Sequence, residues 1–357
     1  MNALIGTATA APLVRVENLS VGIRGRGGAQ ILDSVSFEVN PGRITALVGE
    51  SGAGKSMTTK AILGALDERI FTVSGDIEVC GEDVEALTAR ARRRYLSSVS
   101  ALVFQNPTRA LNPTMRVGPQ IAEAMRFSPS GPRLSREAAR ERAVELMRQV
   151  GIAAPEERYH AYPHQMSGGM KQRAVIAIAL SLNPKVLFCD EPTSSLDVTT
   201  QALIMDLLDE LRERLGIGIL FITHDLVLAA SRADDVLVLH SGRLVEQLPA
   251  RHLLEDASMP YTRDLIARVP KPGQALPKPR PLPVLAIEPT SHGCSYAKEC
   301  ALRQDRCATE RPPIEELDTE HKVRCWFPID PAAARAGQEP SEAAAPGTDD
   351  IGATRDE

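Results

Sequence analysis

Residues suited to binding phosphate and a metal ion stand together directly after the apolar segment Ile44–Val48. Residues 49–56 have the sequence GESGAGKS, which fits the pattern G-x-x-x-x-G-K-[ST]. Glycines let the backbone curl so that its N–H groups converge on phosphate oxygens, and the start of a helix adds positive potential. We expect Lys55 to lie against the β- and γ-phosphates of a nucleotide and Ser56 to offer its hydroxyl to Mg²⁺. The residues predicted to contact nucleotide are Gly49, Ser51, Gly52, Ala53, Gly54, Lys55, Ser56 and Met57.

A second apolar run, Val186–Cys189, ends in two acids. This order suits Asp190 for holding Mg²⁺ through water and Glu191 for polarising the water that attacks a phosphate. Acids at the end of a strand are usually solvated, so the pair is a weak signal by itself. The glycine-rich loop upstream strengthens the interpretation.

The elements that must position these residues alternate between β-rich runs and helical segments from Leu13 to about Gln247, which is typical of an α/β domain. Leucines and an isoleucine recur at three- and four-residue steps between Ile204 and Leu215, and Gly216 follows them, so we predict a helix there. A further helix is predicted from the N-cap Ser135 to Val150. Strand, helix and strand make a βαβ unit whose parallel sheet should be buried on both faces. The predicted strands are Ile44–Val48, Val99–Phe104, Val186–Cys189, Ile219–Thr223 and Val236–His240.

Three other segments complete a recognisable set: residues 166–173 (MSGGMKQR), Ser194–Asp197 and Thr223–Asp225. With them the sequence resembles the ATP-binding-cassette (ABC) family, and specifically the nucleotide-binding subunits of transporters. The resemblance implies a P-loop NTPase fold of the ABC type. That fold has a RecA-like parallel sheet core, an antiparallel β subdomain and an α-helical signature subdomain, here followed by a small cysteine-rich extension at the C-terminus.

The resemblance also assigns roles to residues outside the glycine-rich loop. Gln105 falls where the family's Q-loop glutamine belongs and would sense metal and water, and His224 would stabilise charge on the transferred phosphoryl group. Glu191, His224 and Gln105 are therefore the predicted catalytic residues, and Ser56, Gln105 and Asp190 the predicted Mg²⁺ ligands. The signature residues Ser167, Gly168 and Gly169, with Asp197 of the D-loop, would face a nucleotide bound on a second subunit.

One departure from the family concerns the adenine base. The family usually stacks adenine on an aromatic ring before the P-loop, but Leu13–Ser34 contains no Phe, Tyr or Trp. Ile23 sits about where the ring would be. We therefore expect an aliphatic contact to the base from Ile23, with less discrimination between ATP and GTP than stacking gives.

Within the family, three stretches are similar to the dipeptide/oligopeptide and nickel importer ATPases: Asn106–Pro113, Pro260–Arg263, and Gly293–Trp326. The similarity implies an ATPase that powers peptide import, peripheral on the cytoplasmic face of the cell membrane. Its implied partners are two transmembrane permeases, a second ABC ATPase subunit (homologous or identical) and an extracytoplasmic solute-binding protein. The alternatives are an importer for nickel or another small solute, and a soluble ABC ATPase acting on DNA or ribosomes. The single P-loop and the absence of sustained heptads argue against the soluble ATPase.

Four cysteines near the C-terminus are spaced as a group: Cys294, Cys300, Cys307 and Cys325. Thiolates close in sequence can wrap one soft metal centre, but structural zinc usually shows tighter C-x2–4-C pairs. By resemblance to the peptide importers we expect a [4Fe–4S] cluster here. Zinc and unmetallated thiols or a disulfide pair are the alternatives.

Composition sets the remaining expectations. The net charge of −5 equals that of the segment from Asp330 to Glu357, so the body of the chain is near neutral and lacks the bulk basic footprint of a nucleic-acid-binding protein. No stretch reaches 18 uninterrupted apolar residues and no basic segment precedes an apolar block at the N-terminus, so we expect neither a membrane span nor a secretory signal.

The predicted divisions are a disordered N-terminus at 1–12, the ATPase domain at 13–255, a Pro-rich linker or extension at 256–290, the four-cysteine metal-cluster module at 291–328 and a disordered acidic tail at 329–357.

Overall fold

Two sheets organise the protein, of which the computed structural model describes residues 11–25, 28–128, 133–270 and 292–332. The smaller sheet is antiparallel, with the strand order β2-β1-β4-β5, and the larger sheet has the strand order β11-β12-β10-β9-β3-β8-β7-β6. The strands are β1 (Val14–Ile23), β2 (Gln30–Val39), β3 (Ile44–Val48), β4 (Phe71–Val79), β5 (Glu82–Asp83), β6 (Ser100–Val103), β7 (Val186–Asp190), β8 (Gly218–Ile222), β9 (Asp235–His240), β10 (Arg243–Pro249), β11 (Glu315–Glu316) and β12 (Lys322–Val323).

The helices follow the strands in the alternating order of an α/β domain, with a group of them inserted between β6 and β7. They are α1 (Lys55–Ile62), α2 (Ala89–Val99), α3 (Pro107–Ala110), α4 (Val117–Arg126), α5 (Arg136–Gln149), α6 (Pro155–Arg158), α7 (Gly168–Leu180), α8 (Val198–Leu215), α9 (Leu226–Arg232), α10 (Leu253–Asp256), α11 (Pro260–Ala267) and α12 (Asp305–Thr309). Short 3-10 turns lie at Pro163–Gln165 and Ala250–His252.

The core of the large sheet is parallel, as its sequence predicted. Strand β3 pairs in parallel with β8 and β9, and β7 pairs in parallel with β6 and β8. The two faces of this sheet cover two hydrophobic cores, one against the helices and one against the antiparallel sheet. Successive side chains of β3 enter opposite cores: Ala46 packs on the helical side, and Leu47 packs on the side of the antiparallel sheet. Burial on both faces explains why these strands are apolar throughout.

Local signals for helix ends are confirmed. The hydroxyl of Ser135 accepts from the N–H of Ala138 at 3.1 Å and begins α5, while Gly216, at a φ of 64°, ends α8 in the left-handed conformation that glycine tolerates. The strand predicted at Val99–Phe104 is shorter than expected at both ends. Val99 is the last residue of α2, which runs directly into β6, and Phe104 has already left the sheet.

The C-terminal part of the chain joins the main core. The start of the segment predicted as a linker contains the helix α11, and Tyr261 in this helix is fully buried with the helical-side cluster. The reason is that Pro260 can open a helix and Tyr261 supplies a large apolar surface. Strand β12 extends the large sheet by pairing with β10. The rest of the predicted linker, most of the predicted N-terminal segment and most of the acidic tail lie outside the described residues.

Helices long and apolar enough to cross a bilayer are absent from the described part of the chain.

Candidate nucleotide-binding site

The glycine-rich loop has the backbone shape that its sequence predicted. Gly49, at a φ of 148°, lies so close to β9 that a β-carbon there would come within 2.1 Å of the carbonyl oxygen of Leu239. Gly54, at a φ of 107°, leaves 2.6 Å between such a carbon and the side chain of Leu32. These positions need glycine because an L side chain is strained at such φ values and neither site has room for one. The loop then leads directly into α1.

Lys55 lies buried at the centre of the loop. Its ammonium donates to the carbonyl oxygens of Gly49 at 2.8 Å and Glu50 at 2.9 Å. Burial lowers the pKa of Lys55, and the nearby acids Glu191, Asp190 and Glu50 oppose that shift. An ammonium that is held only by carbonyl groups can exchange them for the more strongly charged oxygens of a phosphate.

Ser56 and Asp190, two of the three residues predicted to bind Mg²⁺, are in direct contact, whereas the side chain of the third, Gln105, bonds to Glu191. The hydroxyl of Ser56 donates to Oδ1 of Asp190 at 3.0 Å. Burial raises the pKa of Asp190, and the bond from Ser56 opposes the rise. A hydroxyl and a carboxylate are the hard oxygen ligands that Mg²⁺ takes alongside phosphate, so this donor pair fits the ion.

Two of the three predicted catalytic residues, Gln105 and His224, contact the third, Glu191. One carboxylate oxygen of Glu191 accepts from the side-chain amide of Gln105 at 2.7 Å, and the other lies 3.4 Å from Nδ1 of His224. The backbone of Glu191 has a φ of 45°, and its N–H donates to the carbonyl of Ile222 in β8. A left-handed conformation in a non-glycine residue is sparsely populated and persists only where the surroundings enforce it. The backbone conformation and the two side-chain contacts therefore hold this carboxylate between Gln105 and His224.

The predicted signature and D-loop residues form a separate, exposed surface. Ser167 caps α7 by accepting from the N–H of Met170 at 3.3 Å, and Asp197 caps α8 by accepting from Thr200 at 2.9 Å. The two segments touch, because a β-carbon on Gly169 would lie 2.6 Å from the side chain of Thr200. The side-chain hydrogen bonds of Ser167 and Asp197 remain within their own segments and do not reach the glycine-rich loop.

The remaining predicted nucleotide contacts lie around the loop and at the end of β1. Ser51 and Gly52 are exposed, Ala53 is buried and Met57 is half-buried. Ile23 is 41% exposed and pairs across the antiparallel sheet with Phe71 of β4. An aromatic residue therefore stands directly opposite Ile23, although none lies near it in sequence. The sequence near Ile23 could not reveal this aromatic residue, because Phe71 belongs to another strand, β4.

The four C-terminal cysteines come together. One small cavity is lined by Cys294, Cys300, Cys307 and Cys325, which are not joined by disulfides. The backbone N–H of Cys294 donates to the carbonyl of Cys307 at 2.8 Å, which links two of the four. Burial raises the pKa of three of these thiols, that of Cys325 to about 12. Among the described residues, however, no group of three or more His, Cys, Asp or Glu side chains could hold a single metal ion as it stands.

Sequence reasoning gave no role to Tyr261, although it singled out the segment that contains it. The Tyr261 hydroxyl accepts from the backbone N–H of Glu50 at 3.1 Å, and Arg268 pairs with the Glu50 side chain. Both residues lie in or directly after α11 and contact the glycine-rich loop. Residues 256–270 and 292–332 are together called the C-terminal extension below. A pattern in one stretch of sequence could not have revealed contacts between segments so far apart.

Comparison with known proteins decides the family. The family model for ABC transporters matches residues 32–194, and the model for the oligopeptide/dipeptide transporter C-terminal region matches residues 245–307. The dipeptide transport ATP-binding protein DppD of Escherichia coli is 36% identical over 323 residues, which cover 90% of this chain and 98% of DppD. The chain belongs to the ABC transporter family.

Other members of the family agree with this assignment. The oligopeptide transport ATP-binding protein OppD of Mycobacterium tuberculosis is 42% identical over 321 residues, which cover 88% of this chain. The match spans only about half of that relative, 52% of its length. A dimeric structure of the ATP-binding cassette MJ0796 in a post-hydrolysis state with ADP and Pi covers 67% of this chain and 99% of its own, at 28% identity and a TM-score of 0.58. The P-loop fold of ABC ATPases predicted from the sequence is thereby confirmed.

Proposed function

We propose that this chain is the ATP-hydrolysing subunit of an ABC importer for peptides. The observation that carries the proposal is the convergence of Gln105 and His224 on Glu191, next to an Asp190 that already holds Ser56. The match to the oligopeptide/dipeptide transporter C-terminal region supports peptides as the solute class. The peptide-transport names of the relatives support the same class.

In the proposed reaction Glu191 takes a proton from the water that attacks the γ-phosphate of ATP. Gln105 orients that water and the carboxylate, and His224 donates to the oxygen on which charge develops. The exposure of Gln105 and His224 leaves room for water and phosphate at Glu191. Lys55 exchanges its carbonyl partners for phosphate oxygens, and the N–H groups of the loop supply the remaining bonds. Mg²⁺ held by Ser56, Asp190 and Gln105 would neutralise phosphate charge.

The ATP site is proposed to be shared between two subunits. Ser167, Gly168 and Asp197 are exposed, which leaves this surface available to a neighbouring subunit. In the proposal these residues, with Gly169, contact the γ-phosphate bound on the loop of a second ABC ATPase subunit, and hydrolysis releases the two subunits. The dimeric state of the MJ0796 cassette supports this arrangement. ATP and ADP differ in affinity for the closed dimer, and that difference drives the motion.

The importer is proposed to contain two transmembrane permeases, a second ABC ATPase subunit and an extracytoplasmic solute-binding protein. This chain would lie on the cytoplasmic face of the membrane. Phe104 and Phe127 are more than half exposed near the Q-loop and at the end of α4, which gives the helical region apolar surface for a membrane partner.

We further propose a [4Fe–4S] cluster at Cys294, Cys300, Cys307 and Cys325, with zinc as the alternative. The donor set fits because four free thiols surround one cavity, and soft thiolates need a cation to be held together as anions. A cubane cluster holds its ligands further apart than a single zinc ion, whose Zn–S bonds are about 2.3 Å. Because the described residues contain no group of three or more ligands that could hold a metal ion, the proposal depends on the chemistry of the four thiols and on the resemblance to the peptide importers. The bound cluster would act structurally, by crosslinking the segments that carry the four cysteines.

Reconstitution tests the transport proposal. Proteins that co-purify with the chain from membranes are identified, and the assembled complex is placed in proteoliposomes with the binding protein. We expect ATP hydrolysis to rise when the binding protein carries peptide, and to stay at the basal rate with a nickel chelate. Hydrolysis that responds to DNA or ribosomes, and not to the membrane partners, would contradict the proposal.

A further inference from the structure

The peptide group between Gly49 and Glu50 is held at both ends. Its carbonyl oxygen accepts from Lys55 at 2.8 Å, and its N–H donates to the hydroxyl of Tyr261 at 3.1 Å. Lys55 belongs to the glycine-rich loop itself, whereas Tyr261 lies in α11, 211 positions after Glu50. One bond is local and exchangeable, and the other comes from the C-terminal extension.

Tyr261 is itself tightly fixed. It is 1% exposed and its ring lies against His240, with centroids 4.2 Å apart, and against Tyr296, with centroids 5.3 Å apart. The hydroxyl of Tyr296 donates to Asp264 of α11. A buried tyrosine between two rings has little rotational freedom, so the position of its hydroxyl is defined before nucleotide arrives.

A second contact ties the same loop residue to the same helix region. Arg268, one residue past the end of α11, forms an ion pair with the side chain of Glu50 and lies 3.8 Å from Asp264. Arg268 and Glu50 are both partly exposed, so this pair is weaker than the buried bond to Tyr261.

The asymmetry between the two ends of the peptide becomes important when ATP binds. When ATP binds, its phosphates compete with the carbonyls of Gly49 and Glu50 for the three N–H donors of the Lys55 ammonium, so the local restraint on the peptide is weakened. Gly49 has no side chain to resist rotation, and its φ of 148° is open to glycine alone. The bond from the Glu50 N–H to Tyr261 does not compete with phosphate, so it continues to fix the orientation of this peptide group.

We propose that Tyr261 is a positioning residue of the phosphate loop, assisted by Arg268, so that the C-terminal extension sets the affinity of this subunit for ATP. The inference rests on the proposed function as an ATPase. Tyr296, which packs against Tyr261, lines the same cavity as the four cysteines. The cysteine segment therefore helps to hold Tyr261 in place. The extension therefore acts on nucleotide binding and not on the chemical step.

The variant Tyr261→Phe keeps the ring and removes only the hydroxyl. Without the hydroxyl, the loop samples orientations in which the N–H of Glu50 points elsewhere, and ATP binds only the fraction of molecules whose loop has the binding-competent orientation. If the competent fraction falls to about one tenth, the apparent dissociation constant of Mg-ATP rises about tenfold. Calorimetric titration of the full-length chain measures this constant. Turnover at saturating ATP in the assembled transporter should stay within about twofold of the wild type, since the chemical residues are untouched.

Tyr95→Phe is the matched control, because the Tyr95 hydroxyl likewise bonds to the backbone, donating to the carbonyl of Val79 at 2.8 Å, but its partners Val79 and Cys80 lie outside the glycine-rich loop. It should leave the affinity for ATP unchanged. If Tyr261→Phe lowers the melting temperature more than this control, Arg268→Gln serves as the second variant. Arg268→Gln should raise the dissociation constant about threefold, as expected for a partly exposed ion pair.

A Tyr261→Phe variant that binds Mg-ATP as tightly as the wild type would overturn the inference and leave the proposed function standing. So would a Tyr95→Phe variant that loses affinity equally, or a Tyr261→Phe variant that loses turnover at saturating ATP with its affinity intact. Failure of the wild-type chain to bind Mg-ATP would instead contradict the proposed function, and this inference with it.

Discussion

His240 should make the protein lose stability in mild acid. Its ring is 7% exposed at the end of β9, packed against Tyr261 and Tyr296, with Nδ1 2.9 Å from the hydroxyl of Ser295. Burial, assisted by the nearby positive charge of Arg243, lowers the pKa of His240 from its ordinary 6.5 to about 4. The folded protein therefore keeps this imidazole neutral.

The size of the effect follows from proton linkage. Between pH 6.5 and pH 4 the unfolded chain binds a proton at His240 that the folded chain does not, so the free energy of unfolding falls as the pH falls. Protonation of the unfolded state removes about 2 kcal/mol of stability at about pH 5, and almost none at about pH 7.5. The loss is complete only below the folded pKa.

The comparison that isolates this residue is between the wild type and His240→Asn, which has no titrating ring. Urea unfolding at the two pH values, followed by circular dichroism and by the fluorescence of the single tryptophan, Trp326, gives both free energies. The variant loses ring contacts at every pH, but its stability should fall by about 2 kcal/mol less than that of the wild type on acidification. His164→Asn, at an exposed position, is the matched control. Equal acid losses in the wild type and His240→Asn would refute the reasoning.

Other substitutions test the loop, the docking of the extension and the cysteine site. Gly49→Ala should abolish Mg-ATP binding in a titration because of the clash with β9, whereas Gly42→Ala, also at positive φ but with nothing within 4 Å, should bind normally and lose only about 1 kcal/mol. Glu246→Ala should lower the free energy of unfolding by about 3–5 kcal/mol in guanidinium chloride, because buried Glu246 accepts from Ser258, Met259 and His321. A loss below about 1 kcal/mol would contradict that account. Cys300→Ala should remove the iron from protein prepared without oxygen, and stoichiometric zinc in the wild type would contradict the cluster.

Sequence was most informative where a local backbone shape dictates residue type. Gly49 and Gly54 adopt φ values that other residues rarely reach, so the loop could be recognised from a few letters. The same holds for Ser135 and Gly216 at helix ends, where a cap needs a short hydroxyl or a left-handed residue. Strands buried on both faces were found because their side chains are uniformly apolar.

What sequence could not supply was contact between distant segments. Glu246 meets His321 across 75 positions, and both are buried, although charged and polar residues usually lie at the surface. Phe71 stands opposite Ile23 only through the register of the antiparallel sheet. Tertiary packing decides such pairs, and neither periodicity nor composition encodes it.

Glu191 is the group proposed to activate the attacking water, and ATP hydrolysis depends on it most directly. Turnover of ATP by the assembled transporter carrying Glu191→Gln measures this directly, because the amide keeps the shape of the side chain and cannot accept a proton. We predict that Mg-ATP binding is retained while hydrolysis falls by about 10²–10⁴-fold, the usual contribution of a general base. Hydrolysis at the wild-type rate in this variant would contradict the account.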